Sequence, residues 1–149
     1  MKIKRKILLA TILCCCTAML SRAQNELSIQ EVFTQYGKQR GVIMVELRGE
    51  SFDDYEFSLF KSITVKDNAK AVDFIRQCIE KDRQNAKKIK EVTVNGVVQS
   101  VFLELPKHGK VSRVILFNEY TKLPSKVTLV YIESETESDD ILKVILKKK

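Results

Sequence analysis

A single histidine, His108, is all the imidazole this 149-residue chain holds, and tryptophan is missing altogether. A protein-bound zinc asks for three or four His, Cys or carboxylate ligands. One histidine leaves carboxylates to supply almost all of them, so no metal centre is expected. The same shortage weighs against a Cys–His or serine triad, in which a base must stand within hydrogen-bond reach of the nucleophile. Five scattered glycines form neither G-x-x-x-x-G-K nor G-x-G-x-x-G, so the loops that wrap phosphate are lacking and no cofactor is expected. With two prolines and no stretch rich in Ser, Gly and Pro, nothing marks a linker between domains.

Cysteine is scarcer than its count of four suggests. Cys14, Cys15 and Cys16 lie inside a nearly uninterrupted apolar run of fourteen residues, Ile7 to Leu20, which follows the basic cluster Lys2, Lys4, Arg5 and Lys6. A basic start, an apolar middle and the small residues Ser21 and Ala23 make the pattern of an export signal over residues 1–23, with cleavage expected between Ala23 and Gln24. A bilayer-spanning helix needs about 20 apolar residues, which this run does not reach, so an uncleaved anchor is the weaker reading. Lipidation would need a cysteine after a small residue at the end of the run. Here Cys14 follows Leu13, the next two follow cysteines, and all three lie within the run.

Cleavage changes the electrostatics. The whole chain carries net charge +7, but residues 1–23 hold five of its 26 bases and no acid, leaving 21 bases against 19 acids. The expected product, residues 24–149, is therefore almost neutral, and neither a nucleic-acid partner nor a membrane span is expected of it. It keeps only Cys78 and cannot close a disulfide on itself. A chain of this size buries roughly two-thirds of the surface its unfolded form exposes, enough for one domain held by its core.

Along that product, Ser28 and Glu31 read as a capping box, and Ile29, Val32, Phe33 and Tyr36 as the apolar stripe of a first helix. Val42 to Leu47, short and β-branched between glycines, predicts a buried strand. Ser51 to Lys61 fits two patterns. As a helix, Ser51 caps, Asp53 and Asp54 sit at the positive end of the dipole, and Phe52, Tyr55, Leu59 and Phe60 share a face. As a strand, Tyr55, Phe57 and Leu59 alternate, but Phe60 and Lys61 then fall on the wrong sides. The helix is the expectation, followed by a brief strand at Ile63 to Val65.

Residues 68–84 give the clearest helix, with Ala71, Phe74, Ile75, Cys78 and Ile79 on one face. Asn95-Gly96 supplies the two positive φ values of a type I′ turn between strands Lys88 to Val94 and Val97 to Leu105. Strict alternation would put Val92, Val94, Val97, Val101 and Leu105 together in the core. Further strands follow at Val111 to Phe117 and Val127 to Ile132. Ser138-Asp139-Asp140 then opens a last helix that ends in lysines. The pattern of a strand followed by an acid-capped helix thus recurs, at Val42 and again at Val127. The expected fold is α+β: one two-layer domain with a mostly antiparallel sheet of about six strands, the last four as a meander. Helices should pack mainly on one face, and one should end the chain.

The remaining chemistry-bearing groups have simpler roles. His108 lies in the turn Lys107-His108-Gly109-Lys110, and Cys78 on an apolar helix face, where a thiol is a small hydrophobe. The pairs Asp53-Asp54 and Asp139-Asp140 suit helix N-termini rather than calcium or glycosidase geometry. Glu133, Glu135 and Glu137 read as a solvated loop. Lys81, Arg83, Lys87, Lys88 and Lys90 form a basic patch, but Asp82 and Glu91 interrupt it and no aromatic stands within it to stack on bases.

Several segments together, Val32-Phe33, Tyr36-Gly37-Lys38, Gly41 to Leu47, Phe60 to Val65, Ile115-Leu116-Phe117 and Val127 to Glu133, resemble a family of small exported proteins of unknown function typical of anaerobic Gram-negative gut bacteria. The resemblance implies a periplasmic or secreted location and carries no catalytic residues. The expectation is an exported, non-enzymatic domain binding an envelope protein or a small ligand. The alternative is a carboxylate-dependent periplasmic hydrolase working through Asp53 or Asp139.

Overall fold

The computed structural model describes residues 26–52 and 55–147. The predicted cleavage pair Ala23 and Gln24, and the pair Asp53 and Asp54, lie outside the described residues. The elements are α1 (Ile29–Tyr36), β1 (Ile43–Phe52), β2 (Tyr55–Lys66), α2 (Ala69–Arg83), β3 (Lys88–Val94), β4 (Val97–His108), β5 (Val111–Tyr120), β6 (Lys126–Ser134) and α3 (Ser138–Lys147). All six strands join one antiparallel sheet in the order β1-β2-β6-β5-β4-β3. β1 and β2 form a hairpin, α2 carries the chain across the sheet to its far edge, and β3 to β6 return as the expected meander until β6 closes against β2.

Two of the three helices among the described residues share the front face. Ile29, Val32 and Phe33 of α1 and Ala71, Ile75, Cys78 and Ile79 of α2 close over Ile63, Leu103, Ile115 and Leu129 of the sheet. Side chains alternate along a strand, so Phe102, Val114 and Ile132 point the other way, and there Ile141 of α3 and Phe57 complete a second, smaller cluster. The domain is α+β with its helices mainly on one face, as the pattern implies, while the C-terminal helix takes the back.

Where a helix is expected over Ser51 to Lys61, Ser51 and Phe52 end β1 and Tyr55 to Lys61 begin β2, which also takes in the expected strand at Ile63 to Val65. The ladder pairs Glu50 with Phe57 and Phe52 with Tyr55, and a register shift between Phe57 and Leu59 marks a bulge against β6. A bulge inserts one unpaired residue and resets the alternation. Phe57 and Phe60 can then both reach the back while Leu59 joins the front core. That removes the misfit which made simple alternation fail at Phe60. The internal repeat goes with it: β1 is followed by a strand, and only β6 by an acid-started helix.

The Asn95-Gly96 turn forms as expected, with φ of 52° and 78° and Val94 opposite Val97. A second bulge between Val92 and Thr93 breaks the ladder just beyond it. Val101 and Leu105 are buried as expected, but Val92, Val94 and Val97 are exposed, not core. The capping box at Ser28 is not formed either, since its side chain caps nothing. Asp82 of α2 does that work from a distance, accepting hydrogen bonds from the N–H groups of Ser28 at 2.7 Å and Ile29 at 2.9 Å. Asn68 caps α2 in the ordinary way, accepting from the Ala71 N–H at 3.1 Å.

Candidate functional site

The back face is built in rows by the strand register. One row runs Leu47, Phe60, Ile132, Val114, Glu104, Lys88, and the next Val45, Ser62, Val130, Leu116, Phe102, Lys90. A third, Ile43, Thr64, Thr128, Asn118, Ser100, Val92, is polar at its centre. There the Thr64 and Thr128 hydroxyls lie 3.2 Å apart, and the Ser100 hydroxyl donates to Asn118 Oδ1 at 3.0 Å. α3 is too short to cover all three rows. It seats Ile141, fully buried, over the apolar rows and leaves the polar row open.

Between α3 and the β1–β2–β6 side of the sheet lies a groove of about 620 Å³. Leu47, Phe57, Phe60, Val130 and Ile132 line its floor and Val144 and Ile145 its helical wall, with Glu50 and Ser51 the polar lining residues. Its size falls within the range of small-molecule sites, which are characteristically apolar with a few polar groups for orientation. The sequence signals the wall, because α3 has an obvious apolar stripe. It does not signal the floor, which exists only because a bulge turns Phe57 and Phe60 to the same side.

Polar contacts hold the α3 wall in place. Asp139 accepts from Lys88 at 2.9 Å and from Lys90 at 3.0 Å, and the Ser138 hydroxyl donates to Glu104 at 2.7 Å, tying the start of α3 to β3 and β4. Hydrogen bonds from Lys88 and then Lys90 hold the Asp139 carboxyl down at about 2, below its ordinary 3.8. A carboxylate whose folded value is depressed adds stability above its unfolded value and loses it as pH falls through the folded one. The Asp139 ties are therefore expected intact at pH 4 and released only as pH falls towards about 2. A carboxyl NMR titration checks this; a midpoint at the unperturbed position would show that the pairing does not hold in solution.

A second depression, of about 560 Å³, lies among Asp67, Asp73, Arg76, Glu119 and Ser125. Arg76 pairs with Glu119, and Asp67 accepts from the backbone N–H and hydroxyl of Ser125 at 2.9 and 3.2 Å. Those contacts fasten α2 to β5 and the β5–β6 loop to the start of α2. Among the described residues no three His, Cys, Asp or Glu side chains gather in a way that could hold a metal ion.

The groups singled out in the sequence are dispersed. His108 is exposed where β4 turns into β5. The basic patch is divided, with Arg83 paired to Glu80 and Glu91, and Lys88 and Lys90 to Asp139. Glu133 accepts from the Tyr131 hydroxyl at 2.7 Å, and Glu137 pairs with Lys107 at 2.7 Å. No helix among the described residues is long and apolar enough to cross a membrane.

Residues 16–145 match a family described as a family of unknown function (DUF6108). The chain belongs to this family. No curated protein and no solved structure matches it. In this DUF6108 member the match takes in every strand, both front-face helices and most of α3, so the groove lies wholly within the family region. Cys78, buried at the α1–α2 contact, has its thiol pushed up to about 11, chiefly by burial. It is expected to resist a maleimide in the native protein and to react at once in denaturant. Rapid native labelling would mean that α2 faces otherwise.

Proposed function

We propose that this protein is an exported, non-enzymatic domain of the cell envelope that binds a small apolar ligand, a medium-length acyl chain being the best fit, in the groove between α3 and the back of the sheet. The observation that carries this reading is the lining: seven apolar side chains against two polar ones around about 620 Å³. An apolar ligand entering such a groove removes its own surface and the groove's from water, which is where its affinity comes from. Glu50 and Ser51 supply hydrogen-bonding groups at one part of the lining for a polar end.

Export is supported by the basic and apolar pattern of the first 23 residues and by the neutral, single-cysteine chain that follows them. When the full chain is expressed in a Gram-negative host, intact-mass analysis of protein from the periplasmic fraction is expected to show Gln24 as the first residue. Finding Met1 on that protein removes the export half of the proposal.

Ligand binding is tested on the same material with a solvatochromic dye and with dodecanoic and hexadecanoic acids as competitors. The dye is expected to bind and to be displaced. Val130→Trp, which puts an indole into the groove from a half-buried floor position, is expected to weaken binding at least about tenfold while the melting temperature moves little. No dye uptake, or uptake untouched by Val130→Trp, would end this assignment.

A further inference from the structure

Among the described residues the sheet has two free edges, and they are built differently. A free strand edge is a row of unpaired N–H and C=O groups that can template another strand, and proteins guard such edges with lysines, prolines or bulges. β3 is guarded. Lys88 and Lys90 point to the back and are held by Asp139, Lys90 lies over the Phe102 ring, Glu91 pairs with Arg83 on the front, and a bulge follows at Val92.

β1 carries its charges at Glu46 and Arg48 on the front and at Glu50 beside the groove, and it has no bulge against β2. On the back it presents Ile43, Val45 and Leu47, exposed to 57, 39 and 42%, in an unbroken apolar line. Neither a lysine nor a proline occurs in the strand. Val42 to Leu47 reads from sequence as a buried strand, and the fold leaves it at an edge.

We propose that β1 pairs antiparallel with β1 of a second copy, with Val45 on the two-fold axis, joining two six-stranded sheets into one. A two-fold axis perpendicular to the sheet keeps each face with its like, so partners must come from the same face. Gly49, at φ +62°, bends the strand opposite the β2 bulge, and a copy lacking that compensation can follow only the segment before it.

Within that segment, centring on Glu46 would set two like charges directly opposite, which destabilises a pair. Centring on Val45 avoids this. Ile43 then faces Leu47 of the second copy, Val45 faces Val45, and Leu47 faces Ile43, so each exposed apolar side chain meets another. On the front, Met44 faces Glu46, whose charge is already met by Arg48 at 2.8 Å and Lys61 at 3.4 Å. The strand is thus complementary to itself in one register, which is what an isologous contact requires and what a foreign strand would have no reason to match. Because Leu47 also lines the groove, the pairing brings two grooves to either side of the axis.

The test uses protein purified after expression of the full chain, without added ligand, so it stands apart from the acyl-chain assay. Sedimentation velocity is expected to show a concentration-dependent dimer. Val45→Lys sets two lysines opposite each other and is expected to raise the dissociation constant at least about tenfold, with the circular dichroism spectrum unchanged.

Val45→Cys gives an independent reading of register. On the axis the two thiols stand directly opposite, within reach of a disulfide, so mild oxidation is expected to give a covalent dimer. Leu47→Cys, facing Ile43, is expected to give none, and the unsubstituted protein, with Cys78 buried, none. A monomer at the highest soluble concentration overturns the proposal and leaves the edge to a strand from another protein. A dimer indifferent to Val45→Lys, or one that crosslinks through Leu47→Cys and not Val45→Cys, overturns it as well.

Discussion

Asp82→Ala is expected to lower the folding stability by about 3 kcal/mol in urea denaturation. Asp82 is 5% exposed, and no basic side chain among the described residues pairs with it. Its two oxygens instead receive the Ser28 and Ile29 N–H groups, at 2.7 and 2.9 Å. The start of a helix carries unsatisfied N–H groups and partial positive charge. A carboxylate from the end of α2 meets both, and so pins α1, 53 residues away in sequence, onto the helix it packs against. Hydrogen bonds to a charged group contribute about 1.5–3 kcal/mol each, and removing the acceptor leaves donors in a half-dry site. Asp82→Asn, which keeps one acceptor oxygen, is expected to fall between the parent and alanine. Hydrogen exchange in Asp82→Ala should quicken first in α1. A loss below about 0.5 kcal/mol would mean that water or Ser28 replaces the carboxylate.

Ile141→Ala should cost a similar amount, about 2–4 kcal/mol, and should also damage the groove. Ile141 is the one fully buried side chain of α3, set among Phe57, Phe102, Val114 and Ile132. The Asp139 ion pairs lie largely in solvent, where such pairs contribute little, which leaves one part-buried hydrogen bond, from Ser138 to Glu104, to position the start of the helix beside Ile141. Ile141 is therefore the anchor. Truncating it loosens the helix that carries Val144 and Ile145, so dye affinity is expected to drop at least about tenfold even at temperatures where the sheet stays folded. A variant that loses stability but binds the dye as the parent does would show that α3 is not a working wall of the groove.

How far the sequence can be read follows from the range of the interaction that decides each feature. The helix at Ala69–Arg83 was legible because its apolar period repeats over four turns and Asn68 caps it locally. The Asn95-Gly96 hairpin was legible because two residues supply the whole turn. Ser51 to Lys61 was not, because a bulge against β6, a strand some 70 residues later in the chain, cancels the alternation there. Val92, Val94 and Val97 have the same β-branched composition as core positions, and only the place of Val92 in the uncovered back row, and of Val94 and Val97 at the hairpin tip beyond the bulge, leaves them wet. Asp82 looked like an interruption in a basic patch, and nothing near it in sequence points to Ser28.

The candidate site shows the same division. The sequence carries the apolar residues Ile141, Leu142, Val144, Ile145 and Leu146 and the acids at the head of that helix. The partners they meet, Lys88 and Lys90 at one end and Phe57, Phe60 and Val130 below, come from three different strands. What the sequence determined alone was the α+β class, six strands, the terminal meander, and the place of Cys78 on a core-facing helix, all set by periodicity and turn chemistry within a few residues. Tertiary structure decided which face each helix covers, which strands lie at the edges, and where a groove remains. Those follow from strand order and register, which are fixed by contacts between segments far apart in the chain.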